Sequence, residues 1–161
     1  MPKTVVSIRE TIMTTIESRL VLTKPSYTYD VPASRVNRRN IELPEQPNLP
    51  CIFVYEGDES KDESRTPNSL LCTLPVAVVY MAEEGDPDEQ LTTANSMLED
   101  ISRAMGSDFL VADKNGKNQQ VDMEELSNEV ITAEVNGSLV YTATTFSVQY
   151  YHKRGDQSVV Q

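Results

Sequence analysis

The chain has 161 residues, the length of one domain, with a net charge of −11 and an isoelectric point near 4.5. That acidity argues against a nucleic-acid groove, which needs a basic surface to displace counterions from phosphates. It is compatible with a wall that DNA slides past without sticking, and the 39% hydrophobic content is enough for one core.

Residues 4–22 are expected to form a helix, because Val5, Ile8, Ile12, Ile16 and Leu20 share a face with Met13 at its edge. Ser7-Ile8-Arg9-Glu10 fits a capping box, so the helix starts there or one turn earlier, and Lys24-Pro25 is expected to end it. No continuous apolar run follows Met1-Pro2-Lys3-Thr4, so no signal peptide is expected, and no run is long enough to span a bilayer. Residues 25–50 have no sustained periodicity, and five prolines keep them extended. Tyr27-Thr28-Tyr29-Asp30-Val31 could form a short strand, and Arg35, Arg38 and Arg39 form a local basic cluster. So long a connection reads either as a solvated crossover loop or as an arm that binds a neighbouring subunit.

Cys51-Ile52-Phe53-Val54-Tyr55 is an apolar strand set off by Pro50. An acidic loop follows over residues 56–68, with Glu56, Asp58, Glu59, Asp62 and Glu63 close together, and reads as a hydrated hairpin tip. Next comes the clearest fold signal, residues 70–106. Cys72, Leu74, Val76, Val78 and Tyr80 alternate with Thr73, Pro75, Ala77, Val79 and Met81, which predicts a central strand covered on both faces. Asp86-Pro87-Asp88-Glu89 predicts a helix start with Asp86 as N-cap. Leu91, Ala94, Leu98, Ile101 and Met105 then make one apolar stripe that ends at Gly106.

Phe109-Leu110-Val111-Ala112 is a short strand before a turn at residues 113–117, where Gly116 is free to take positive φ. Residues 121–126 either pair back or turn, residues 129–135 form a strand, and Asn136-Gly137 marks a tight hairpin. Residues 139–151 form a last strand with Val140, Phe146, Val148 and Tyr150 on one face. Residues 152–161 are expected to be a frayed tail. The predicted architecture is a single α+β domain over residues 1–161: a mostly antiparallel sheet with two amphipathic helices on one face.

Chemistry of the usual kinds is poorly supported. The single histidine, His152, reads as a surface residue, and neither a nucleophile elbow nor a phosphate loop is present. Cys51 and Cys72 read as buried thiols of a cytoplasmic protein rather than a disulfide, and with one distant histidine they make a poor zinc site. Asp113, Asn115 and Glu124 fall at three positions of a calcium loop, but Lys117 occupies a ligand position and a β-turn explains them better. No cofactor and no catalytic or metal residues are expected, which points to a protein that works through its interfaces.

The order of elements resembles the tail terminator (tail completion) proteins of tailed bacteriophages. The features that carry the resemblance are Ile8-Arg9-Glu10-Thr11-Ile12 running to Leu20, then Leu49-Pro50-Cys51-Ile52-Phe53-Val54 with its acidic continuation. The strand from Leu74 to Met81, the helix from Leu91 to Ile101 and the closing Val148-Gln149-Tyr150-Tyr151 complete it. The resemblance implies a non-enzymatic virion subunit, assembled in the host cytoplasm, that forms a homo-oligomeric ring, usually a hexamer. Such a ring caps the head-proximal end of the tail tube, ends its polymerisation and docks the neck or connector protein, while DNA passes the lumen without specific binding. On this reading Glu56, Asp58, Glu59, Asp62 and Glu63 face the lumen or the tube, and Arg35, Arg38 and Arg39 make a subunit or neck contact. Another neck or head-closure connector, a tail assembly chaperone and a small acidic enzyme are the competing readings.

Overall fold

The computed structural model describes residues 6–39, 48–63, 68–106, 109–112, 115–132 and 137–155. In chain order the elements are α1 (Ile8–Arg19), a 3-10 turn (Ala33–Arg35), β1 (Val36–Arg39), β2 (Cys51–Glu56), β3 (Ser60–Glu63) and β4 (Ser69–Glu83). They continue with α2 (Gln90–Met105), β5 (Leu110–Ala112), β6 (Asn118–Gln120), β7 (Asp122–Thr132) and β8 (Leu139–Lys153). The main sheet runs β1-β2-β4-β8-β7, with β3 beside β4 beyond the end of β2, and β5 and β6 make a separate two-stranded hairpin. Among the described residues only the β1–β2 pairing is parallel, so the α+β, mostly antiparallel architecture read from the sequence is what the chain adopts.

β4 is the centre because its period-two pattern is the strongest in the chain. Cys72, Leu74, Val76, Val78 and Tyr80 are fully buried on the helix side, in one core with Ile8, Ile12 and Ile16 of α1 and Met97 and Ile101 of α2. The other face is covered less than its sequence suggests: Pro75 is exposed and Ala77 and Val79 are half-buried. There Cys51, Phe53 and Met81 form a smaller apolar cluster, flanked by Tyr55, Leu139 and Tyr141, to which neither α-helix contributes. The two thiols therefore lie in different clusters, buried and free.

Pro75 sits inside a central strand at the one place where its missing N–H does no harm. β2 pairs β4 from Val76 onward and β3 pairs it up to Thr73, so Pro75 falls in the gap between them. Its carbonyl accepts the Gly57 N–H at 2.8 Å, and a Cβ on Gly57 would lie 2.9 Å from the Pro75 ring. The chain thus leaves the sheet at Gly57 and rejoins it at Ser60. This corrects the expected hydrated tip, because Ser60–Glu63 is a strand; residues 64–67, Arg65 among them, lie outside the described residues.

α1 starts at the predicted cap, with Ser7 Oγ accepting the Glu10 N–H at 3.1 Å, but it stops at Leu20, well short of Lys24-Pro25. Val5 lies outside the described residues. The chain turns early because Leu22 and Val31 are both buried and bridge each other. Tyr27-Thr28-Tyr29-Asp30 is not a strand but a packed turn. The buried Asp100 of α2 accepts the Thr28 N–H and an Arg103 Nη2 proton, each at 2.9 Å. Arg103 also covers the Tyr27 ring, and the Tyr29 ring meets Tyr80 edge-on. Residues 20–31 are therefore fastened to the core through Leu22, Thr28, Tyr29 and Val31, while residues 23–26 are exposed.

α2 begins at Gln90, one turn later than expected, because Asp86 closes a preceding turn. Its carboxylate accepts the Asp88 N–H and its carbonyl the Glu89 N–H, each at 3.0 Å. The helix buries Ala94, Met97, Ile101, Ala104 and Met105, but Leu91 is 64% exposed in the first turn and Leu98 is half-buried. Gly106 ends the helix with an ordinary φ of −82°; glycine is needed there because a Cβ would lie 2.5 Å from the Ser102 carbonyl oxygen. Residues 121–126, read as pairing back or turning, and the strand expected at 129–135 fall largely in one strand, β7, kinked by a bulge between Glu125 and Ser127, with residues 133–135 outside the described residues. Gly116 and Gly137 take the expected positive φ, whereas Asn136 and residues 156–161 lie outside the described residues.

Candidate interface

Two residues, one from each of two groups singled out by sequence, meet at one end of the sheet: Arg38 of the arginines at 35–39 and Glu56 of the acidic residues after Tyr55. Arg38 projects from β1 and is within ion-pair distance of three carboxylates. Its Nη1 donates to Glu10 at 2.7 Å and lies 3.9 Å from Glu17, and its Nη2 contacts Glu56. Arg9 of α1 reaches the same Glu56 through Nε at 3.2 Å and Nη2 at 2.8 Å. Glu56 is the buried centre, with its side chain 11% exposed, and it is held by two guanidinium groups. The hydrogen bond from Arg38 holds the Glu10 carboxyl below its ordinary range, and the same bond raises Arg38. The network joins the polar side of α1 to β1 and β2.

Arg35 does not join it. Its Nη1 donates to the Leu49 carbonyl at 3.0 Å and so positions the chain entering β2. The side chains of Arg39 and Glu63 lie outside the described residues, while Asp58 and Asp62 are exposed. Glu59 turns the other way, its side chain 10% exposed; it accepts the Tyr150 hydroxyl and lies 3.6 Å from Lys61 Nζ. Ser7, Arg9, Glu59, Lys61, Tyr150 and His152 line a cleft of roughly 260 Å³ beside the start of α1. Burial, with Glu59 adding to it, pushes the Tyr150 phenol up, and burial pushes the underlying Cys72 thiol up to about 11. His152 is neither frayed nor on the surface: it ends the buried face of β8 at 3% exposure.

The far end of the sheet differs. Among the described residues β7 is an edge strand paired only to β8, and Asp122, Glu124, Glu125 and Glu129 all lie exposed along it. Its sequence, DMEELSNEVIT, holds no lysine or arginine. β1, the opposite edge, carries Arg38 and Arg39 and no carboxylate.

Sequence reasoning missed Arg9, Glu10, Glu17, Lys61, Tyr150 and His152. Only His152 left a usable signal: it has the same parity as Val140, Phe146, Val148 and Tyr150, so one further step of the alternation buries it. Comparison with protein-family models and with curated proteins gives no match for this chain.

Proposed function

We propose that the chain is a structural subunit of a tailed-bacteriophage virion that closes into a ring and caps the head-proximal end of the tail tube. The observation that supports this best is the open sheet with unlike edges, an acidic β7 at one end and an arginine-bearing β1 at the other. Unpaired sheet edges are templates for another chain. Two β7 edges repel each other through their carboxylates, which disfavours a two-fold dimer through that strand. A β7 edge against the β1 edge of the next copy brings its carboxylates to a strand that carries arginine and no carboxylate, and such a head-to-tail contact closes into a ring when its rotation permits. The apolar cluster around Phe53 and Met81 lies on the sheet face that neither α-helix covers, which suits a tube or neck contact. The proposed partners are therefore other copies of the chain, the tail tube protein and the neck protein, with DNA passing an acidic lumen.

Particle morphology and composition test the role. The expected result is that purified virions contain the protein and that particles made without it have over-long tails or unattached heads. Its absence from virions, or normal tails without it, overturns the assignment.

A further inference from the structure

Among the described residues β7 is a long strand with nothing on its outer side, so one row of its backbone N–H and C=O groups is left to solvent. Proline and lysine, which commonly blunt such an edge, are absent from its sequence. The bulge leaves Leu126 out of the ladder and 56% exposed. Every residue from Glu124 to Glu129 is exposed, so the middle of the strand is open on both faces as well as along its edge.

Pairing with β8 sorts the side chains of β7 into two unlike rows. Asp122, Glu124 and Glu129 lie opposite Gln149, Ser147 and Ala143, on the sheet face that neither α-helix covers. None of the three makes an ion pair among the described residues. Met123, Glu125 and Val130 lie opposite Val148, Phe146 and Thr142, on the helix side. There Met123 and Val130 pack against the main core, and Glu125 is held by the Ser102 and Asn128 side chains. The unengaged carboxylates therefore form one row, and the other row is mainly apolar.

A strand added to this edge presents the same two rows to its neighbour. Cations at alternate positions meet the carboxylate row, and apolar residues between them continue the row of Met123 and Val130. A second β7 fails this match, because it sets carboxylates against carboxylates. The β1 of a neighbouring copy spans only four residues against the eleven of β7, so it leaves most of the edge open. We propose that this open part of β7 takes an extended segment of a second protein, in which lysine or arginine alternates with apolar residues. The segment joins the sheet through backbone hydrogen bonds, while its alternation selects it over other cationic chains. This partner is additional to the ring contact and does not depend on it.

The test is the fluorescence anisotropy of a labelled peptide of about seven residues, lysine alternating with valine, titrated with the full chain. A saturating rise is expected. A peptide of the same composition with its lysines adjacent binds at least about fivefold more weakly, because adjacent residues of a strand face opposite ways. Glu124→Gln combined with Glu129→Gln weakens the alternating peptide by about fivefold or more, whereas Glu125→Gln leaves it within about twofold. These substitutions sit at exposed positions, and circular dichroism shows that each variant is folded. No saturation, equal binding of the two peptides, or an equal loss in Glu125→Gln overturns the proposal. Sedimentation of the same samples reads the ring separately: a monomer that binds the peptide keeps this proposal and overturns the ring, and a ring that ignores the peptide does the reverse.

Discussion

At the β1 end of the sheet, Arg38 is surrounded by carboxylates of its own chain, two from α1 and one from β2. At the β7 end, four carboxylates lie along an exposed edge whose strand supplies no cation. At the first end the charges of Arg9, Arg38 and Glu56 are spent inside the chain. They hold α1 against β1 and β2, where the apolar contacts of Ile8, Ile12 and Ile16 alone would leave its polar side loose. At the second end Glu125 accepts hydrogen bonds from Ser102 of α2 and from Asn128, and Asp122, Glu124 and Glu129 lie exposed to another molecule. One sheet thus separates charge that stabilises the chain from charge left for the proposed contact between copies.

The largest effect is expected from removing the carboxylate at the centre of the clamp. Glu56→Ala leaves both Arg9 and Arg38 without it, and the near-buried position makes the loss about 2 kcal/mol, below the range for a fully buried pair because the arginines stay partly solvated. For a chain of this length that is a fall in Tm of roughly 4–8 °C, read by calorimetry. An unchanged Tm would break the contrast between the two ends.

Glu10 sharpens the same contrast through pH. Its carboxyl lies below the ordinary value in the folded chain, so its contribution is present above the unfolded value and is lost as the pH falls through the folded one. The side chain is half exposed, so the pair with Arg38 is worth about 0.2–1 kcal/mol. Urea midpoints of the wild type and Glu10→Gln should differ at about pH 7 and converge once the pH has fallen through the folded value of Glu10. A gap that persists at the lower pH would assign the effect to packing instead.

The smallest effect on stability is expected at β7. Glu124→Lys combined with Glu129→Lys touches only exposed positions, and its urea midpoint should stay within about 0.5 kcal/mol of wild type. A large loss would mean that the acidic edge is part of the fold.

What the sequence made legible follows from how local each signal is. The alternation of β4 and β8 and the Ser7 cap of α1 need only neighbouring residues, and all appear where expected. β1 was hidden because Val36-Asn37-Arg38-Arg39 has no apolar alternation, and its parallel partner lies beyond a long connection. β7 looked like two pieces because the bulge at Glu125 to Ser127 breaks the period of two. Leu91 fitted the apolar stripe of α2 but sits in its first exposed turn. The clamp could not be read at all: Arg9 and Glu56 are 47 residues apart, and no local pattern links them. The arginine cluster and the acidic segment were visible as charged stretches, but not that Arg38 and Glu56 are joined within one subunit.

The mass of the protein in solution tests the central claim most directly. Sedimentation of the wild type should show a closed assembly several times the 18.0 kDa chain, and the Glu124→Lys, Glu129→Lys variant should stay a monomer. Mixing that variant with Arg39→Glu subunits should restore the assembly with alternating copies, because the new lysines of β7 then meet a carboxylate on β1. A wild type that stays monomeric at every concentration, or an assembly indifferent to the β7 charges, contradicts the account.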